Sequence, residues 1–269
     1  MPALSLSRRA ALGAFAAAML TKNANAQSNT TLRIGIMSGE DEDIWRIVST
    51  NASKSGLTLK IVTFSDYSTP NQALSEGDLD ANAFQHGPFL KAQSEANGFK
   101  ITPVGNTYFA PMGLYSHRWK SLKDLPPNAS IGVPNDPSNE GRALLLLQTL
   151  GILKISSSAG LLPTALDITD NPRNISIREL DAGVVGRALT DLDAAVVNTE
   201  WAQKAGIDTI KERIGEETLQ NNPYVCFIAT NAKDASAAWV KPLVSAYQQP
   251  NTRQALLDVY HGAIVPAWT

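Results

Sequence analysis

The sequence is poor in the residues that most catalytic chemistry needs. Of 269 residues three are histidine and one, Cys226, is cysteine. A single cysteine excludes any disulfide within the chain, and an exported protein of this length can fold without one. His86, His117 and His261 stand far apart with no Cys, Asp or Glu at metal-ligand spacing, so no metal site is expected, and the last two read as surface or satisfied histidines. No Gly-Lys pair occurs, which removes a P-loop. No G-x-G-x-x-G follows a strand pattern, and no G-x-S-x-G elbow is present. Nucleotide binding, metal chemistry and serine hydrolysis therefore have no carrier. The expectation is a protein with no cofactor that is not an enzyme.

Basic charge and long apolar runs are missing as well. The formal charge of −2 contains Arg8, Arg9 and Lys22, and the first 26 residues hold no acid, so the remainder carries −5. That balance offers no footing for nucleic acid or anionic lipid. Residues 1–26 read as an export signal, with Arg8-Arg9 followed by the apolar stretch Ala10 to Leu20 and the small-residue site Ala24-Asn25-Ala26. Eleven apolar residues are too few to cross a membrane, which needs about 20. The expected product begins at Gln27 and is a protein of the periplasm, soluble because no cysteine stands near the cleavage site to carry an acyl chain. The paired arginines leave Sec and twin-arginine routes both open.

What is present is alternation. "LRIGIM", "LTLKIVTF" and "LDANAF" read as strands, separated by helical patterns in "SGEDEDIWRIVSTNASKSG", "STPNQALSEG" and "GPFLKAQSEANG", which predicts a parallel sheet. After "SLKDLPPNAS" a second series runs through the strands "SIGVP", "ISIREL" and "AAVV" and the helices "GRALLLLQTLG", "GVVGRALTD" and "TEWAQKAG". The strand "YVCFIAT" is followed only by helices, so the chain is expected to cross back into the first unit. The two units share Leu-Asp-Ala, at 79–81 and 192–194, each entering a strand. Chance is the rival explanation. If the echo is structural, Phe84-Gln85-His86 and Asn198-Thr199-Glu200 leave equivalent strand ends, where open α/β sheets bind ligands.

The stretch "GVPNDPSNEGRALLLLQTLG", from Gly132 to Gly151, places Arg142 one residue into a predicted apolar helix, where the macrodipole disfavours a cation. Free N–H groups around Asn139 to Ala143 would form an anion site, and Arg142 would add a planar fork for a carboxylate. The alternative is an Arg142 folded out onto a surface acid such as Glu140. Aromatic residues at 67, 84, 108, 109, 115, 201 and 224 are candidates for the rim of a cleft. With a carboxylate clamp they suggest a small zwitterion with an apolar or thioether side chain.

The segments "TFSDYSTPNQAL", "DLDANAFQHGPFL", "VGNTYFAPMGLYS", "VPNDPSNEGRALLLLQ", "GLLPTALDITDNPRN" and "NNPYV" carry a family resemblance. From Leu32 to its end the chain resembles the methionine-binding lipoproteins, extracytoplasmic receptors of a methionine ABC importer. The resemblance implies an α/β, two-lobe periplasmic-binding-protein fold of type II-like topology, with a ligand cleft between lobes that close by a hinge. One lobe is expected over 32–112 plus 225–269 and the other over 113–224. It implies that Arg142 and Asn139 hold a ligand carboxylate, that Phe84, His86 and Tyr108 surround its side chain, and that Asn198 makes a polar contact. It implies as partners an amino-acid ligand and a permease with a separate ATPase, the receptor being a monomer.

Three features depart from the family pattern. The lipobox cysteine is replaced by Ala-Asn-Ala, Glu200-Trp201 follows "NT" where an uncharged residue and Tyr are usual, and Cys226 stands where the family has the Asn that holds the ligand amine. Glu200 and Cys226 therefore join the candidate ligand-binding residues, with Glu200 either compensating for Cys226 or only starting its helix. The leading reading is a receptor for methionine or a related amino acid or short peptide. The alternatives are the same fold binding another small carboxylate, an enzyme acting on a small acid, and a surface protein with a degenerate cleft. On this reading Arg142→Ala abolishes binding and leaves the fold intact.

Overall fold

Strand-forming runs assemble into two sheets in the computed structural model, which describes residues 30–220 and 222–268; the export signal expected at 1–26 lies outside the described residues. The chain begins with β1 (Thr30–Met37), α1 (Glu40–Ser53), β2 (Leu57–Phe64), α2 (Thr69–Glu76), β3 (Ala81–His86), α3 (Gly87–Asn97) and β4 (Ile101–Phe109). It continues through β5 (Gly113–Tyr115), β6 (Ser130–Pro134), α4 (Pro137–Thr149), a ribbon of β7 (Lys154–Ile155) and β8 (Ile168–Asp170), then β9 (Ser176–Leu180), α5 (Ala182–Val185), β10 (Ala194–Val197), α6 (Thr199–Lys204) and β11 (Arg213–Glu216). It closes with β12 (Val225–Asn231), α7 (Val240–Tyr247), α8 (Pro250–Val259) and β13 (Val265–Pro266).

The first sheet has the order β13-β4-β12-β3-β1-β2 and the second β11-β5-β10-β6-β9. β12 thus returns to the first sheet, as the helices that follow it imply. The parallel pairing expected of the first three strands is present, within a sheet that is mixed as a whole. β2, β1 and β3 are parallel, but β12 enters antiparallel between β3 and β4, and β5 and β11 run antiparallel at the edge of the second sheet. The α-helix expected over "GVVGRALTD" is also shorter than its pattern, giving way to a 3₁₀ turn at Arg187–Thr190.

Local chemistry sets the elements that matter for the cleft. Glu42 accepts a bond from the Gly39 N–H and closes the start of α1, whose buried Ile44, Trp45, Val48 and Ala52 lie on one face. That face packs in a core with Leu243 and Tyr247 of α7 and Leu256 of α8. Around the second sheet, Ile131, Val133, Leu144, Leu147 and Val196 form a separate core. A third cluster joins Met37, Phe84 and Phe89 to Val197 and Trp201, side chains that come from both sheets and from α3 and α6.

The Leu-Asp-Ala echo is structural. The Asp80 N–H donates to the Arg33 carbonyl at 2.9 Å while Arg33 N–H donates to the Asp80 carboxylate at 2.7 Å. The Asp193 N–H donates to the Ser130 carbonyl at 3.1 Å while Ser130 N–H donates to the Asp193 carboxylate at 2.9 Å. Each aspartate thus pins a central strand to its parallel neighbour, in matching registers: Ile34 faces Ala81, and Ile131 faces Ala194. Leu79 and Leu192 cover Gly35 and Gly132, where a Cβ would come within 2.5 and 2.7 Å of the leucine Cδ1. The hydrogen bonds hold the Asp80 and Asp193 carboxyls below the usual range, led at Asp193 by the Ser130 N–H, with burial working the other way in both. We predict that Asp193→Ala costs about 1–3 kcal/mol in urea unfolding, through the orphaned Ser130 N–H; an unchanged midpoint would show that the clamp is ornamental.

Candidate functional site

The clamps bring the ends of β3 and β10 to the same place. There a cavity lies between the sheets, lined by residues of both: Tyr67, Phe84, Gln85, His86, Phe89, Tyr108 and Cys226 from one side, Asn139, Arg142, Asn198, Thr199 and Glu200 from the other, and Ala110 from the connection between them. Its free volume is about 30 Å³. All eight residues singled out as ligand-binding candidates in the sequence lie in this one wall. Of the other expected rim aromatics, Tyr67 lines the cavity, Trp201 packs behind it at 5.6 Å between ring centroids, and Tyr224 meets His86 edge-on at 4.9 Å. Phe109 and Tyr115 are corrected: both are buried away from it, Phe109 within β4 and Tyr115 beside Ala195 and Val197.

The helix carrying Arg142 also starts earlier than its apolar pattern suggests. Pro137 opens α4 and Asp136 caps it, accepting the Asn139 N–H at 3.0 Å, while the Glu140 N–H donates to the Asp136 carbonyl at 2.8 Å. Arg142 is therefore well inside the helix, and the free N–H groups expected around Asn139 to Ala143 are already used by the cap and the helix. The anion site drawn from them is withdrawn. Nor does Arg142 turn out to Glu140, whose carboxylate takes the Ala165 N–H.

Its fork is occupied instead by Glu217. Arg142 Nε donates to Glu217 Oε1 at 2.9 Å and Nη2 to Oε2 at 2.5 Å, with a second Nη2 bond to the Ala110 carbonyl at 2.8 Å. The side chains are 3 % and 8 % exposed, and the guanidinium lies 4.4 Å from the centre of the Tyr224 ring. Glu217 also accepts the Met112 N–H and donates its own to the Met112 carbonyl. Nη1 makes no hydrogen bond among the described residues and is the part of the fork left for another group. Glu217 had no sequence signal, since "IGEETLQNN" lacks period and motif.

The remaining polar groups form a short chain. Phe89 N–H donates to His86 Nδ1, which caps α3 and places the ring proton on Nε2, 3.4 Å from Asn139 Oδ1. Burial, and then the charge of Arg142, hold His86 well below its ordinary pKa, so the ring is neutral. Asn139 Oδ1 also accepts from Asn198 Nδ2 at 3.1 Å, and its own amide donates to Asp136. Glu200 is in the first turn of α6 and also faces the cavity, where the Tyr67 hydroxyl donates to it. Burial raises its pKa against the opposing effects of the Lys204 charge and that bond. The Cys226 thiol is pushed up, by burial and then by Glu200, and stays neutral.

A profile of the NlpA lipoprotein family matches residues 32–268. The chain belongs to this family. It is 41% identical over 240 residues to the D-methionine-binding lipoprotein MetQ of Escherichia coli K12, covering 88% of each chain. Among solved structures, a nutrient binding protein from Burkholderia cenocepacia bound to methionine superposes with a TM-score of 0.86 at 46% identity, over 88% of this chain and all of that one. The substrate binding protein of a methionine transporter from Streptococcus pneumoniae gives 0.83 at 34% identity, over 88% and 96% of the two chains. The two-lobe substrate-binding architecture is thus the fold of the family, one sheet to a lobe.

Two tests follow from the site. Arg142→Ala will not spare the fold, because it strands the Glu217 carboxylate: we expect a loss of about 3–5 kcal/mol by urea unfolding, most of it recovered in Arg142→Met/Glu217→Gln. Behind the cavity, Asp41 of α1 accepts a bond from the Tyr260 hydroxyl, and burial, then the Glu200 charge, push its pKa up to about 8. The folded protein therefore binds more protons than the unfolded chain between the ordinary 3.8 and about 8, and its stability falls as pH rises through that window. Asp41→Asn removes this slope, which is at most about 1.4 kcal/mol per pH unit; parallel stability curves for the two proteins would assign the pH dependence elsewhere.

Proposed function

We propose that this chain is an extracytoplasmic receptor, not an enzyme, that captures methionine or a related amino acid for an ABC importer by closing two lobes on it. The observation that carries the reading is the composition of the cavity between the sheets: an aromatic wall of Tyr67, Phe84, Phe89 and Tyr108 facing Arg142, Asn139, Asn198 and Glu200. A thioether or other apolar side chain suits the rings, and the polar groups suit the charged end of an amino acid. The methionine bound by the Burkholderia relative supports the same ligand class.

Within this reading Arg142 contributes Nη1 to the ligand carboxylate beside the amide of Asn139, while Phe84, His86 and Tyr108 enclose the side chain. Cys226 closes the wall next to His86, its register partner on β3. The lobes are residues 32–112 plus 225–269 and residues 113–224, a division supported by the membership of the strands in the two sheets. The receptor acts as a monomer, delivering ligand to a permease driven by a separate ATPase. Export by the signal at 1–26 supports a place beyond the cytoplasmic membrane, and no described helix is long and apolar enough to cross one. A soluble rather than acylated protein is part of the reading and rests on Cys226 being the single cysteine.

Mass spectrometry of the small molecules released on denaturing the purified protein should find methionine or a close relative, and titration calorimetry with methionine should show saturable binding. Ligand should also contract the protein in small-angle scattering, since the cavity wall comes from both lobes. A retained ligand without an amino-acid backbone, or no heat with methionine, would overturn the ligand class.

A further inference from the structure

The charges and free acceptors of the cavity are unequally matched. Its one cation is Arg142, and two of the three nitrogens of that fork are spent on Glu217. Its one anion is Glu200, 9 % exposed, with no ion pair within 4 Å among the described residues. The nearest ammonium on its own helix, Lys204 Nζ, lies 4.2 Å from the centre of the Trp201 ring and has no hydrogen-bond partner. The hydrogen bond that Glu200 does receive, from the Tyr67 hydroxyl, engages Oε1 and leaves Oε2 free.

A second acceptor stands beside it. Asn198 precedes Glu200 by two residues at the end of β10, and its amide is oriented by the bond from Nδ2 to Asn139. That orientation leaves Asn198 Oδ1 buried without any partner. A buried amide oxygen without a donor costs free energy, and so does a buried carboxylate without a cation. One group satisfies both, a protonated amine with its several N–H donors. The opposite wall cannot supply that service, because Cys226 is a neutral thiol and a weak acceptor.

We propose that Glu200, with Asn198 Oδ1, is the specificity-determining site for the ligand's ammonium group, and that this receptor selects ligands carrying a free protonated amine over isosteric ligands that lack one. The inference rests on the amino-acid reading of the cavity and deepens it. It commits the α-amine to the wall formed by α6 and the end of β10. It also makes recognition ionic at the amine, whereas the carboxylate finds only the single free nitrogen of Arg142.

The test compares two probes on the purified full-length protein by calorimetry at pH 7: methionine, and its 2-hydroxy analogue, in which a hydroxyl replaces the ammonium. We expect the wild type to prefer methionine by a hundredfold or more, and Glu200→Gln to reduce that ratio at least tenfold by weakening methionine alone. A Glu200→Gln protein that weakens both probes by the same factor, or neither, overturns the inference and leaves the receptor reading standing. Should Glu200→Gln lose its native melting transition, the wild-type ratio decides alone, and a preference below tenfold overturns the inference. A wild type that binds neither probe overturns the amino-acid reading together with this one.

Discussion

The Arg142–Glu217 ion pair holds together the place where the two lobes meet. The chain passes between the sheets twice, through residues 110–112 after β4 and, before β12, through a stretch that includes residues 217–220 and 222–224. Arg142 reaches both, bonding the Ala110 carbonyl in the first connection and Glu217 in the second, and Glu217 in turn pairs with the Met112 backbone. Thr199 adds a bond to the Pro111 carbonyl. A buried ion pair contributes little net stability over an apolar replacement, but leaving one partner alone is expensive. What the pair supplies is position. It ties residues of both connections together, and it does so from α4, a capped helix anchored in the second core by Leu144 and Leu147.

Position is also what the duplicated aspartates supply. Asp80 and Asp193 each tie a central strand to its parallel neighbour just before the strand begins. With the start and register fixed, the far ends of β3 and β10 follow, and Phe84, Gln85, His86, Asn198, Thr199 and Glu200 emerge around one space. The same local device, used once in each lobe, therefore sets opposite walls of the cavity. Its chemistry differs between walls because the residues after the repeat differ: one phenyl ring and a neutral imidazole on β3, an amide and a carboxylate after β10.

Much of this was legible in the sequence, and the failures have physical causes. The strands β1, β2, β3, β6, β9, β10 and β12 stand out as apolar or β-branched runs, and Leu-Asp-Ala marks the clamp. β4 does not, because Pro103 and Gly105 interrupt "ITPVGNTYF"; the glycine is there to admit α7, since a Cβ would meet Val244 at 2.5 Å. β5 has three residues, too few for a pattern. The start of α4 was displaced because apolar periodicity begins after Gly141, whereas a helix begins at its cap. The fork of Arg142 was legible as a carboxylate binder, but its partner within the chain was not. Glu217 is 75 residues away in an unpatterned segment, and only tertiary structure brings them together.

The contacts that span the lobes divide into two kinds, and the division bears on how the cavity opens. Apolar contact among Met37, Phe84, Phe89, Val197 and Trp201 joins the lobes without direction. Away from the connections, the polar crossings among the described residues are two: Tyr67 to Glu200, and His86 to Asn139 at a long 3.4 Å. Both crossings end on residues that also line the cavity. Opening therefore exposes the same side chains that a ligand would engage, and each can exchange a partner across the cleft for water or for ligand at modest net cost. The Arg142–Glu217 pair behaves differently, because Arg142 reaches the connections from α4 and Glu217 belongs to one of them, so the two need not separate when the lobes part. On the receptor reading, strong, buried and fixed interactions fall where the chain would bend, and weak, exchangeable ones where the cleft would open. That arrangement lets the cavity wall be remade around a ligand while the geometry that aligns its halves is retained.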